Sequence, residues 1–402
     1  MDNINNIIKS MEPEIVSTMI ELISKKAISP ESGGSGELER AVYLQGLLEK
    51  IGVDKIERID AKDNYNVIRP NILAQVYGKQ RDRTVWIVAH MDTVPEGDLS
   101  LWNTDPFKGV FKDGKIYGRG SVDNGQAILT ALFTLKILKK QDIVPKYNVG
   151  IMFVSDEEVG SKYGIDFVLK NREFSKNDLF YVPDSGNSEG TEIEIAEKSI
   201  LWIKIKVNGK QAHGSRPDLG LNANRISMLL NSEIDKDLHK KFTAVDTLFT
   251  PEYSTFEPTK REKNVDNVNT IPGTDVSYYD CRILPTYNID DVLKVFEEKI
   301  SKFKKKYQIE IESEILQKSV APQPTDKNSE IVQTLLRVLK EERNIDGKLV
   351  GIGGGTCAAF FRANGNQSVV WSTLDDVEHS PNEYCRLENL EKDILVFTKL
   401  LI

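Results

Sequence analysis

Cysteine, histidine and long apolar runs are all scarce in this chain, and each scarcity removes a class of protein. Three cysteines, Cys281, Cys357 and Cys385, are too few and too scattered for a disulfide framework or a cysteine-based zinc site. No apolar run approaches the roughly 18–20 residues that cross a bilayer, and the polar stretch Met1 to Lys9 carries no apolar signal core. A reducing, cytoplasmic setting away from the membrane is the expectation. Basic excess is missing as well: 61 acidic side chains outnumber 53 basic ones, giving a formal charge of −8. Phosphate binding wants a basic face, so nucleic acid is not the expected partner. The densest basic run, Lys302 to Lys306, continues an amphipathic helix and reads as a solvated face. Internal repeats and low-complexity tracts are also absent, and 402 residues suit about two domains.

What is present begins with alternating strands and helices, an α/β pattern. Thr84–Ala89, Asn148–Val154 and Asp178–Val182 read as strands buried on both faces, and Val369–Trp371 as the core of a fourth. Asn124–Lys140 has helical spacing, with Ile128, Leu132, Leu135 and Leu138 on one side. A segment of different texture follows. Leu201, Ile203, Ile205 and Val207 alternate with Trp202, Lys204 and Lys206, as in a strand with one wet face. Val276–Ile283 alternates similarly, Asp290–Phe303 is helical, and Ile309, Ile311 and Ile315 return to alternation. The expected architecture is an α/β domain, residues 1–197 and 321–402, with a mostly parallel mixed sheet flanked by helices. Residues 198–320 read as an inserted α+β domain, and Ala321–Thr325 as the return crossing.

Two of the four histidines stand beside carboxylates just past an expected strand. His90 and Asp92 follow the first strand, Asp156, Glu157 and Glu158 the second, Asp184 the third, and Glu378 and His379 the fourth. Ligands gather at the carboxyl ends of strands in an open α/β sheet. If these strands are neighbours, the loops converge on one spot rich in imidazole and carboxylate, a mixture suited to Zn²⁺, with Co²⁺ or Mn²⁺ as substitutes. Any one acid at a strand end is more often a helix cap or a solvated residue. Four such elements in one chain read as a site.

Nine short runs then carry a resemblance: AHMDTVP (89–95), YGRGSVDN (117–124), SDEEVG (155–160), PDSG (183–186), GKQAHGSRPDLGLNA (209–223), NTIPG (269–273), DCR (280–282), GGGT (353–356) and EHSPNEY (378–384). The chain resembles, over nearly its whole length, the co-catalytic metallopeptidases. These include succinyl-diaminopimelate desuccinylase, acetylornithine deacetylase, aminoacylase and related dipeptidases and carboxypeptidases. That resemblance implies two zinc ions per chain. It makes His90 and Asp184 ligands of one ion, His379 and Glu158 ligands of the other, and Asp123 the bridge. It makes Glu157 the general base and Asp92 the acid that orients His90, and it implies a cis peptide after Asp123. His213 would reach the metals from a partner subunit or upon domain closure and hold the oxyanion, where position alone suggests a solvated turn residue. Asn269, Arg282, Gly354 and Gly355 would meet the substrate, although a structural ion pair is the rival reading for Arg282.

Two departures bear on the substrate. Asn124, Gly125 and Gln126 stand where the family commonly has a residue followed by Lys-Gly. At 184 the many deacylases and carboxypeptidases have Glu, whereas many aminopeptidases and dipeptidases have Asp, as here. The expected substrate is a small N-acyl amino acid; the alternative is a peptide, cleaved by an aminopeptidase or dipeptidase. A binding protein without turnover is opposed by the intact set His90, Asp123, Glu157, Glu158, Asp184 and His379. The resemblance makes residues 1–197 and 321–402 the catalytic domain and the inserted domain a ferredoxin-like lid or dimerisation domain, whose exposed edge or helices, able to pair isologously, point to a homodimer.

Overall fold

The computed structural model describes residues 2–402, which divide into two compact units. Unit 1 takes Met1–Ile195, Thr325–Val350 and Thr356–Ile402; unit 2 takes Ala196–Pro324 and Gly351–Gly355. No helix among the described residues is long and apolar enough to cross a membrane.

An eight-stranded sheet runs in the order Lys55–Arg58, Ile72–Val76, Tyr147–Val154, Gln80–His90, Leu179–Asn187, Gln367–Thr373, Glu192–Glu197, Lys348–Ile352. Its third to sixth strands are mutually parallel, and antiparallel strands flank them. The parallel four are those the sequence marks as buried runs. Every residue of Thr84–His90, Asn148–Val154, Leu179–Val182 and Ser368–Thr373 is buried, because helices cover both sheet faces. Gly125–Lys140 is buried nearly all round and packs on Leu387–Leu400. The helices Glu12–Ser24 and Leu38–Ile51 were not anticipated, although Ile15, Met19, Leu22 and Ile23 give the first of them a plain apolar stripe.

Unit 2 has a four-stranded antiparallel sheet in the order Thr255–Arg261, Thr274–Ile283, Ser199–Asn208, Glu310–Ser319. Helices Ala223–Lys241 and Ile289–Tyr307 complete a strand–helix–strand–strand–helix–strand chain path, the ferredoxin-like arrangement. Ile203, Ile205 and Val207 join Leu230, Ile234, Phe296 and Phe303 in its core. Lys204 and Lys206 point the other way and face Glu314 and Glu312 across the strand pair. Unit 2 is also wider than 198–320. Gly351–Gly355 clusters with it, tied by the Gly351 amide to the Leu248 carbonyl (2.6 Å) and by Arg282 Nη1 to the Gly353 carbonyl (2.7 Å). Such long-range bonds leave no mark in a local sequence pattern.

Gly150 shows how tightly the parallel sheet is packed. A Cβ there would lie 2.2 Å from Cε3 of Trp86, which is fully buried and donates its Nε1–H to Asp178. Forcing one carbon into such a space costs about 1–3 kcal/mol. Gly150→Ala should therefore lower unfolding stability by that amount in urea denaturation, with the ligand set of the next section untouched.

Candidate metal centre

The four parallel strands deliver their ends to one place. His90 is the last residue of Gln80–His90, and Glu157 opens a single 3-10 turn just beyond Tyr147–Val154. Asp184 lies in Leu179–Asn187, and His379 stands in the loop after Gln367–Thr373. Asp123 arrives separately, just ahead of the helix Gly125–Lys140, and its peptide bond to Asn124 is cis. Each apolar run ends where the chain leaves the sheet, so polar side chains collect at the rim.

Asp123 sits between the two imidazoles. Its Oδ1 is 2.9 Å from His90 Nε2, and its Oδ2 is 3.1 Å from His379 Nε2. Asp184 Oδ1 lies 3.4 Å from His90 Nε2, and Glu158 Oε2 lies 3.1 Å from His379 Nε2. Two overlapping sets, His90–Asp123–Glu158 and His90–Glu157–Asp184, each bring their donor atoms within 4.8 Å of one another. All six expected chelating and basic residues thus meet. Geometry alone lets Glu157 join Asp184 as readily as Glu158 joins Asp123.

Asp92 is placed differently from expectation in one respect. His90 Nδ1 donates to the backbone carbonyl of Asp92 at 3.0 Å, and the carboxylate is farther, at 3.5 Å. The carboxylate instead accepts the amides of Glu157 and Glu158, both at 3.0 Å. Asp92 therefore fixes the His90 ring through its main chain and the Glu157–Glu158 turn through its side chain.

The donors fit a divalent cation. With Nδ1–H donated to a carbonyl, a neutral His90 aims its Nε2 lone pair at Asp123 Oδ1, acceptor against acceptor. A proton or a cation has to lie between them. Burial opposes charge on His90, yet Asp184, Asp123 and Asp92 outweigh it and raise its pKa. Hydrogen bonds to Asp123 and then Glu158 raise His379 to about 10. Burial, and after it Asp184, pushes Glu157 well above the ordinary carboxylate range, and burial with Asp123 does the same to Glu158. Glu158 Oε1 is buried with no hydrogen-bond partner among the described residues. Carboxylates crowded until they resist ionisation, with imidazoles among them, form a nitrogen and oxygen donor set of the kind that holds Zn²⁺.

Glu383 is the residue that sequence reasoning passed over. Its buried carboxylate accepts the amides of Gly120 (3.0 Å), Val122 (2.9 Å) and Asp123 (3.1 Å) and pairs with Arg119 Nη1 at 2.7 Å. It thereby fixes the backbone that presents Asp123 from the same loop that carries His379. Its place inside EHSPNEY was the available signal. Asn124 was noticed only as a departure, and its side-chain amide contacts Asp184 Oδ1.

The other expected site residues lie in unit 2. His213 is exposed on the short pairing of Ala212–His213 with Thr270–Ile271, and the Gly214 amide donates to the Asn269 carbonyl at 2.6 Å. The Ser215 amide donates to His213 Nδ1 at 3.2 Å, which leaves the ring proton of the neutral form on Nε2. Arg282 gives Nε and Nη2 to Asp280 at 2.7 and 3.0 Å, the rival ion pair, and Nη1 to Gly353. Gly354 and Gly355 form the open loop after Gly353, where a Cβ would meet nothing at Gly354.

Comparison with known proteins agrees with this geometry. An uncharacterized metallohydrolase of Methanocaldococcus jannaschii is 45% identical over 407 residues, covering 96% of this chain and 98% of its own. Succinyl-diaminopimelate desuccinylase of Nitratiruptor sp. is 26% identical over 398 residues, covering 96% and 99%. The crystal structure of human carnosine dipeptidase 1 shares the fold, with a TM-score of 0.77 at 18% identity over 99% of this chain and 97% of that one. Residues 86–402 match peptidase family M20/M25/M40. With that match across most of its length, the chain belongs to peptidase family M20/M25/M40 and is a metal-dependent hydrolase of that family.

Proposed function

We propose that the chain hydrolyses the amide bond of a small N-acyl amino acid, as a desuccinylase or deacetylase does, with two zinc ions. His90 and Asp184 would hold one ion, His379 and Glu158 the other, and Asp123 both. The observation that carries this reading is the split of Asp123, one oxygen toward each imidazole, at 2.9 and 3.1 Å. Bound ions would make a water acidic near neutral pH and polarise the scissile carbonyl.

The protein's own groups do the rest. Glu157, held in a turn by Asp92 and kept basic by burial beside Asp184, takes the proton of the attacking water. It then returns that proton to the leaving amine. His213, with its N–H on Nε2, is suited to donate to the oxyanion, from its own chain or from a partner subunit. Asn269 and the Gly353–Gly355 loop would meet the rest of the substrate. Arg282 would bind a substrate carboxylate with whatever capacity Asp280 and Gly353 leave it. Unit 2 would serve as lid and dimerisation domain, its edge strand Glu310–Ser319 being free to pair. The similarity to desuccinylase supports the acyl substrate. Asp rather than Glu at 184 favours the second reading, an aminopeptidase or dipeptidase.

Plasma mass spectrometry on purified protein should find close to two zinc ions per chain, and a chelator should abolish hydrolysis. Glu157→Ala should keep both metals while kcat falls about 10²–10⁴-fold; loss of one metal in that variant would make Glu157 a ligand. Steady-state assays should show N-succinyl- or N-acetyl-amino acids cleaved, and cleavage of dipeptides alone would move the second reading to the front. Both imidazoles titrate above their ordinary value, so they carry protons at neutral pH that a metal must displace. Zinc affinity should accordingly weaken as pH falls, and titration calorimetry in buffers of different ionisation enthalpy should register proton release.

A further inference from the structure

Behind the Glu157–Glu158 turn lies a buried guanidinium that the proposed chemistry does not use. Arg69 is completely buried and forks onto Glu37, with Nε 2.8 Å from Oε2 and Nη2 2.5 Å from Oε1. Asp63 Oδ2 lies 3.5 Å from Nη1, and Asp156 Oδ1 lies 2.9 Å from Nη2, an ion pair rather than an aligned hydrogen bond. The two following residues grip the same loop. Ser155 Oγ donates to the Pro70 carbonyl at 2.6 Å, and the Ser155 amide donates to Asn71 Oδ1 at 3.1 Å. Asn71 Nδ2 donates to the Tyr163 carbonyl at 3.0 Å, while Asp156 Oδ2 accepts the Tyr163 amide at 2.9 Å.

Asp156 has φ +71°, in the left-handed region that a residue with a Cβ adopts only at a steric cost. That conformation turns the chain so that the next two amides, of Glu157 and Glu158, both reach the Asp92 carboxylate. Released from its anchors, the turn could relax and swing Glu157 off its line. Resting on the reading of Glu157 as the base, we propose that Arg69 is a positioning residue for that carboxylate, acting through Asp156. Stability alone gives a weaker account: the Glu37 pair already fills one edge of the fork, and further buried carboxylates add mutual repulsion. The fixed plane of a guanidinium, held by the Glu37 fork, makes Nη2, the nitrogen that Glu37 and Asp156 share, a rigid post for Asp156.

Arg69→Lys, Arg69→Met and Asp156→Asn test this, with Gly150→Ala as a variant weakened away from the centre. Asp156→Asn keeps shape and acceptors, so it carries the test if the Arg69 variants do not fold. Each is measured for zinc content, for kcat and KM on an N-acyl amino acid that the parent cleaves, and for deuterium uptake of segment 155–163. The expected result is full zinc content, kcat down about 10–100-fold at unchanged KM, and faster uptake in 155–163, with Arg69→Lys between parent and Arg69→Met. Unchanged uptake and parental kcat would overturn the proposal. So would a kcat loss no greater than in Gly150→Ala, or one that tracks lost zinc. Should Glu157→Ala stay active, the base reading fails instead, and uptake in 155–163 alone decides whether Arg69 holds the turn.

Discussion

Carboxylates of Asp123, Glu157, Glu158 and Asp184 are brought together within a few ångströms in a largely buried place, where like charges repel strongly and water is scarce to screen them. Much of the surrounding structure answers that repulsion. Asp92 is stabilised by two main-chain amides, and Glu383 by three amides and Arg119. Arg40, fully buried, donates to the Met91 carbonyl and faces Asp92 and Glu383. The positive groups stand behind the acidic ones and leave the front of the cluster anionic. A cation is the natural counterpart, and the imidazole rings, whose basicity the same carboxylates raise, offer nitrogen donors for one.

Much of this was legible in the sequence because local pattern and function coincide at the strand ends. A strand buried on both faces announces itself by an unbroken apolar run, as in Thr84–Ala89, and the first polar residues after it mark the rim. Neighbourhood of the four strands could not be read, since the order of parallel strands depends on crossovers with no local signal; the sheet supplied it. The residues that were missed share a trait. Glu383, Arg69 and Glu37 act through main-chain amides or through other side chains, and nothing in spacing separates such a carboxylate from a solvated one. Asp92 was expected to orient His90 through its carboxylate, whereas its carbonyl is the nearer acceptor, a distinction that the residue letter does not carry.

In unit 2, alternation exposed the strands Ser199–Asn208 and Thr274–Ile283, whose wet face carries charge and whose dry face carries Ile, Val and Tyr. Helix Ala223–Lys241 was less visible. Its buried positions Ile226, Leu230, Ile234 and Leu238 keep a strict helical period but are diluted by a long polar surface. Arg282, matched by motif to a substrate-binding position, engages Asp280 through Nε and Nη2 and the Gly353 carbonyl through Nη1, contacts that spacing could not show.

The two-part composition of unit 2 bears on how such a protein can be rearranged by recombination. Ala196–Pro324 looks like a self-contained insertion that a gene could gain, lose or exchange in one event. Gly351–Gly355 belongs to the same unit but is encoded downstream, between stretches of unit 1. A swap of the long segment between relatives would transplant Arg282 and Leu248 while leaving behind the glycine loop whose Gly353 carbonyl and Gly351 amide they bind. Chimaeras cut at the obvious boundaries would join halves of different ancestry across those two bonds, and an exchange that keeps the unit intact has to move both segments.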